Sequence, residues 1–261
     1  MDDLPSGFHS RGTSTPSYHL ITPENRAPSA LAELGATKVV KLVTPRRAPA
    51  AFAAYLLELA PGNGSSSGQV AIDSRYEQCF YGIDGAAVMT LAAETQKLTA
   101  GRFAYAPPGC PAALDNPEVG PGPAIVLWFK RAYAPLAGLD RPPEPLFGDQ
   151  ATLVEPEYQP GLYRTVLFGD GDPRHDFVLI RMRFEPGVDL LMTELHDEEH
   201  GLYMTAGRGV YMLGADLHEV SAGDFIYMAP YCPQSFVADS ECGAEYLLYK
   251  DTFRDGFGDP A

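Results

Sequence analysis

Gly223-Asp224-Phe225-Ile226-Tyr227-Met228-Ala229-Pro230-Tyr231-Cys232-Pro233-Gln234 repeats an earlier stretch of the same chain, Gly101-Arg102-Phe103-Ala104-Tyr105-Ala106-Pro107-Pro108-Gly109-Cys110-Pro111-Ala112. The shift of 122 positions carries Gly101 onto Gly223, and Gly, Phe, Tyr, Pro, Cys and Pro coincide. The same shift lays Gly85 on Gly207. The chain therefore reads as two copies of one unit, each built on a turn, a short aromatic strand and a second, proline-rich turn.

Working outward, Phe177-Val178-Leu179-Ile180-Arg181-Met182-Arg183-Phe184 sets arginines between apolar residues at a period of two. That is the mark of a strand with one face on a core. Glu185-Pro186-Gly187 ends it. Residues 51 to 59 (AFAAYLLEL) have helical propensity. They end, however, in Ala60-Pro61-Gly62, which matches Glu185-Pro186-Gly187, so the repeat predicts a strand there too. Turns at 82 to 85, 207 to 209 and 214 to 216 bound further short strands, and such spacing indicates an all-β sandwich or barrel. The expected domains are a polar N-terminal arm (1–36), an N-terminal barrel (37–134), a proline-rich linker (135–160) and a C-terminal barrel (161–261).

With 261 residues the chain can bury a full core in one or two joined domains. Its formal net charge of −15 makes nucleic acid or an anionic membrane a poor partner, since both would be repelled at long range. The start, Met1-Asp2-Asp3-Leu4-Pro5, has neither a basic region nor an apolar core, and the most apolar stretch (48–60) falls short of the roughly 20 residues that span a bilayer. A cytoplasmic location is expected. Cys79, Cys110, Cys232 and Cys242 lack close pairing, and two occupy equivalent repeat positions, so they read as reduced, buried packing residues.

Chemistry concentrates in the second copy, in Thr193-Glu194-Leu195-His196-Asp197-Glu198-Glu199-His200 and in Gln234. On a strand Glu194 and His196 would share a face, His200 could join after a bend, and Gln234 would bring an amide oxygen from the next hairpin. Two imidazoles, a carboxylate and an amide oxygen suit Mn²⁺, Fe²⁺ or Ni²⁺ better than a thiolate-rich structural zinc site. In the first copy these positions fall on Ile72, Ser74, Gln78 and Ala112, with Glu77 beside them, a set that cannot hold a metal tightly. That copy reads as structural. A helical His-x3-His zinc motif is disfavoured by Asp197 after the first histidine and by glycines at 201, 207 and 209. His9, His19, His175 and His218 have no ligand-like spacing and read as surface residues. Lys250 shares a strand face with Tyr246 and Leu248. It either enters the barrel, where its charge beside a metal would favour a small anion, or points outward at a strand end, as its counterpart Lys130 suggests.

The glycine, proline and ligand spacings resemble the two cupin motifs, and the chain is similar to a bicupin, two tandem double-stranded β-helix (jelly-roll) barrels. More narrowly, Glu194-x-His196-x3-His200, Gln234 and the ending Tyr246-Leu247-Leu248-Tyr249-Lys250-Asp251 resemble the (S)-ureidoglycine aminohydrolase family. The resemblance covers nearly the whole chain and is densest from Gly187 to Asp251. It implies Mn²⁺ (with Fe, Ni or Zn as other divalent options) on Glu194, His196, His200 and Gln234. It also implies a substrate pocket lined by Tyr211, Tyr246, Lys250 and Gln234, with Glu194 and Lys250 as catalytic residues. The implied reaction is hydrolytic deamination of (S)-ureidoglycine, a small anionic ureido compound, in purine and allantoin breakdown. A cupin metal dioxygenase and a non-catalytic small-molecule binder are the rival readings, and exposed sheet edges lead us to expect a homo-oligomer, a dimer or higher.

Overall fold

In the computed structural model, residues 10–31, 34, 37–62, 70–117, 122–139 and 141–251 are described. Among them there is no α-helix, and hence no helix long and apolar enough to cross a membrane. The ambiguous apolar stretch is the strand Phe52–Leu59. It is paired on both sides, Leu57 with Val39 and with Val126, and it is buried throughout except at Glu58. A strand enclosed on both faces needs no alternation, which is why helical propensity and strand burial look alike there.

The chain forms two units that interleave along the sequence: residues 1–26, 154–170 and 177–252, and residues 27–153, 171–176 and 253–261. The expected arm is thus divided. Tyr18–Ile21 pairs with Phe225–Met228 in the C-terminal unit, and Pro28–Ser29 pairs with Lys38–Val43 in the N-terminal one. The segment expected as linker contains the strands Leu146–Asp149 and Glu157–Gln159, each paired within its own unit.

In the C-terminal unit the large sheet runs Glu157–Gln159, Leu162–Phe168, Phe177–Phe184, Ala244–Asp251, His200–Leu213, Phe225–Met228, Tyr18–Ile21, Thr13–Ser14. The 14-residue strand His200–Leu213 continues into a second layer, where it pairs with Asp216–Ser221 and Gln234–Ala238. It turns from one layer to the other at a register shift after Met204 and at Gly207, whose φ is +69°. A Cβ at Gly207 would lie 2.2 Å from the Gly243 carbonyl oxygen, so only glycine fits.

The N-terminal unit repeats this plan with a seven-stranded and a four-stranded sheet. The two copies agree in register at the positions around the candidate site. His200 pairs with Lys250 as Gln78 pairs with Lys130, and Glu194 bridges Gln234 as Ile72 pairs with Ala112. The Gly214 amide donates to Pro233 O and that of Ala92 to Pro111 O, both at 2.8 Å.

The interiors differ. Trp128, fully buried, fills the N-terminal barrel, with ring centroids 5.8 Å from Phe80 and 4.8 Å from Tyr55. Its indole N–H donates to Gln78 Oε1 at 3.0 Å, and the Gln78 amide donates to Asp73 O at 2.8 Å. The counterpart of His200 is thereby consumed by structure.

Two surface assignments need correcting. His19 and His175 are buried, because their rings pack on Tyr227 (5.4 Å) and Tyr105 (4.9 Å). His218 is half-buried against the Tyr18 hydroxyl at 3.2 Å, and His9 lies outside the described residues. All four cysteines are free, but Cys242 is exposed in the turn that follows Asp239.

Truncating Trp128 removes the largest buried side chain of the N-terminal unit. Trp128→Ala should cost about 3–5 kcal/mol of stability, read as a lowered denaturant midpoint in chemical unfolding.

Candidate active site

A cavity of about 300 Å³ opens within the C-terminal unit. Glu194, His196, His200, Tyr211, Gln234, Tyr246 and Lys250 all line it, so the structure brings every sequence-predicted site residue to one place. Lys250 faces inward, on the same strand face as Tyr246 and Leu248. Its counterpart Lys130 instead lies over the rings of Tyr76 and Trp128, at 4.5 and 5.2 Å.

His200 begins the long strand and is 3% exposed. His196 is not on a strand, contrary to expectation. Residues 195–199 are an irregular extended segment, because after the single bridge at Glu194 they have no ladder partner. Two clamps hold the His196 end of this segment. Glu194 exchanges backbone hydrogen bonds with Gln234 at 2.8 and 3.1 Å, and the His196 carbonyl accepts from the Tyr231 amide at 2.7 Å. Tyr231 adopts φ +60° at the position where the other copy has Gly109 at +85°, a strained conformation next to the candidate site.

The side chains converge on Gln234, itself 2% exposed. Its amide nitrogen lies 3.1 Å from His196 Nε2 and 3.1 Å from His200 Nδ1, so two imidazole lone pairs aim at one point. The ring centroids are 4.7 Å apart. His200 Nε2 is buried without a hydrogen-bond partner. Burial pushes the His200 imidazole well below its ordinary range, with His196 and Lys250 adding repulsion, so the ring is neutral and its lone pair available.

This donor set fits a divalent cation. A half-turn of the Gln234 amide about its terminal bond exchanges N for O and gives the shared point an oxygen. Glu194 lines the same cavity, although its carboxylate makes no hydrogen bond or ion pair with either imidazole. Among the described residues no three His, Cys, Asp or Glu side chains form a ready ligand cluster. The group that closes the set is the Gln234 amide.

Two tyrosine hydroxyls belong to this centre. Tyr211 donates to Gln234 Oε1 at 3.3 Å, and Tyr246 lines the cavity beside it. Burial, reinforced for Tyr211 by the Glu194 charge, raises both phenols, so they stay protonated donors.

Glu198, to which the sequence assigns no role, ties two site residues together. Its Oε1 lies 3.0 Å from Lys250 Nζ and its Oε2 2.9 Å from His196 Nδ1, the latter not aligned as a hydrogen bond. Burial works to raise the Glu198 carboxyl, but Lys250 outweighs it and holds it below the ordinary carboxylate range. Arg164 and Tyr158 also line the cavity and were not anticipated. Tyr158 sits in the proline-rich stretch, and a lone arginine on a strand carries no motif.

No protein-family model matches the chain. The (S)-ureidoglycine aminohydrolase of Arabidopsis thaliana is 33% identical over 258 residues, covering 98% of this chain and 82% of that protein. The chain belongs to the (S)-ureidoglycine aminohydrolase family. Among solved structures, protein Ylba of Escherichia coli superposes with a TM-score of 0.81 at 23% identity, over 95% of this chain and 96% of that one. Bacillus subtilis oxalate decarboxylase, in a structure concerned with its Mn(II) centres, superposes with a TM-score of 0.64 at 15% identity, over 94% and 80% of the two chains. These likenesses establish the bicupin fold.

The raised phenols give a direct test on this family member. Spectrophotometric titration of tyrosinate should give the same amplitude below about pH 11 in the double variant Tyr211→Phe/Tyr246→Phe as in the wild type. A smaller amplitude in the variant would mean that one of these phenols ionises normally.

Proposed function

We propose that the chain hydrolyses (S)-ureidoglycine to (S)-ureidoglycolate and ammonia in purine or allantoin catabolism, using a Mn²⁺-type site in the C-terminal cupin. The observation that carries this reading is the convergence of His196 Nε2 and His200 Nδ1 on the Gln234 amide in a cavity that also holds Lys250. It is supported by family membership and by identity across nearly the whole chain.

His196, His200, Gln234 and Glu194 would hold the cation. When bound, it supplies positive charge that fixes the substrate's heteroatoms and favours attack at the central carbon. The rest falls to side chains. Tyr211 and Tyr246 offer O–H donors to the ureido carbonyl. The Lys250 ammonium points one N–H at Glu198, 3.0 Å away, and keeps two N–H donors for the substrate. In the reaction the bond from the central carbon to the 2-amino nitrogen breaks, and a bond from that carbon to a water oxygen forms. One water proton leaves on ammonia and the other stays on the new hydroxyl. Glu194 accepts the proton from water and returns it to the departing nitrogen, so the site ends as it began.

His196→Ala and His200→Ala should each lose bound divalent metal and ammonia release together, measured by elemental analysis and an ammonia assay on freshly generated ureidoglycine. An active, metal-free variant would contradict the proposal. Lys250→Ala should keep its metal while turnover drops by roughly 10² or more. Oxygen uptake in place of ammonia release would favour a dioxygenase.

A further inference from the structure

The N-terminal barrel serves as an internal control for the C-terminal one, because ladder registers carry each position onto its counterpart. In one cross-strand row of the C-terminal unit, Arg164 pairs with Met182, Met182 with Tyr246 and Tyr246 with Met204. In the same row of the N-terminal unit, Val39 pairs with Leu57, Leu57 with Val126 and Val126 with Gly82. Paired residues in a ladder project from the same face. Met182, Tyr246 and Met204 all belong to the buried core, so Arg164 is an inward-facing arginine on the wall of the cavity. Its counterpart Val39 is fully buried.

The substitution follows the pattern of the site. Where the active copy has Tyr246 and Gln234, the other has Val126 and Ala112. Arg164 in place of Val39 belongs to that set.

We propose that Arg164 binds the carboxylate of the substrate and so sets the enzyme's preference for an acid. This rests on the ureidoglycine reading of the cavity. The charge of Lys250 is already matched by Glu198 at 3.0 Å, and Glu194 adds a further negative charge to the wall, so an anionic ligand needs another cation. Arg164 has one to offer. Its partner, Asp170, is 3.5 Å away from both terminal nitrogens and half exposed, a pair that contributes little and can be exchanged for a ligand. Arg164 lies two strands from Tyr246 in the row, about 10 Å at the usual strand spacing, so its long side chain and a small ligand together span the gap. The planar guanidinium fork matches a carboxylate with two parallel hydrogen bonds, which an ammonium cannot do.

The test compares metal-loaded wild type, Arg164→Met, Arg164→Lys and Asp170→Asn. With fresh (S)-ureidoglycine, Arg164→Met should raise KM roughly 10- to 100-fold, the loss expected for a hydrogen-bonded charge pair, while kcat changes by less than about threefold. Arg164→Lys should recover part of the loss, and Asp170→Asn should not raise KM. Calorimetric binding of (S)-ureidoglycolate and of its carboxamide gives an arm independent of turnover. Wild type should prefer the acid, and Arg164→Met should bind the two alike. An unchanged KM in Arg164→Met together with a retained preference for the acid overturns the proposal. Absence of ammonia release by the wild type would instead overturn the functional reading, and the calorimetric comparison would still decide the role of Arg164.

Discussion

The two hydrogen bonds between the backbones of Glu194 and Gln234 hold the rest of the site in place. His200 lies in a ladder and needs no help, being paired with both Met228 and Lys250. His196 has no ladder. It reaches the shared point only because its segment is clamped at Glu194 and again where its carbonyl accepts the Tyr231 amide. A site assembled from one strand residue and one loop residue is only as well defined as the loop's attachments. The N-terminal copy retains the same clamps, with Ile72 paired to Ala112 and the Gly109 amide bonded to Ser74 O at 2.7 Å, and has no ligands on them. The clamp is therefore a property of the fold, onto which the candidate ligands are grafted.

The same comparison shows how a barrel of this kind acquires a cavity. Trp128 and Leu248 occupy equivalent ladder positions, opposite Phe80 and Leu202. In the N-terminal unit the indole fills the interior and its N–H occupies Gln78. With leucine at that place the volume is released, and polar groups line what remains: Tyr246 for Val126, Gln234 for Ala112. An apolar void would be a net cost to the barrel, whereas a polar-lined one can hold water or a ligand. The two units thus use one backbone plan for two purposes, a packed core and a pocket.

The sequence revealed most where its signal was geometric. The alternation around Arg181 and Arg183 correctly set those residues on the outer face, where they bind Glu155, and the repeat correctly overruled helical propensity at 51 to 59. Ligand spacing picked out residues that the fold gathers on one cavity, although the segment carrying His196 was read as strand when it is a clamped loop. Local polarity failed as a guide to burial. His19 and His175 sit in polar stretches yet pack against tyrosine rings that lie far off in sequence, and nothing local reports such a contact. Glu198 was hidden for a related reason: within Asp197-Glu198-Glu199 the three acids look alike, and only the fold turns one of them toward Lys250 and His196.

That turn of Glu198 bears on how an acidic chain can take an anion. A net charge of −15 repels a carboxylate at a distance, but at physiological ionic strength the repulsion is screened beyond roughly 8 Å. Selection for an anion is then decided by the charges lining the cavity. There Glu194 stands against Arg164 and Lys250, the latter already paired with Glu198, and the imidazole of His200 is held neutral by burial. A wall close to neutrality gives no strong reason for a lone anion to enter. The proposed divalent cation on the shared point would shift the balance to positive, and a substrate with a single carboxylate would then relieve it. On this electrostatic account, the proposed metal and anionic substrate would favour each other's binding, because each would reduce the charge imbalance that the other leaves in a partly desolvated pocket.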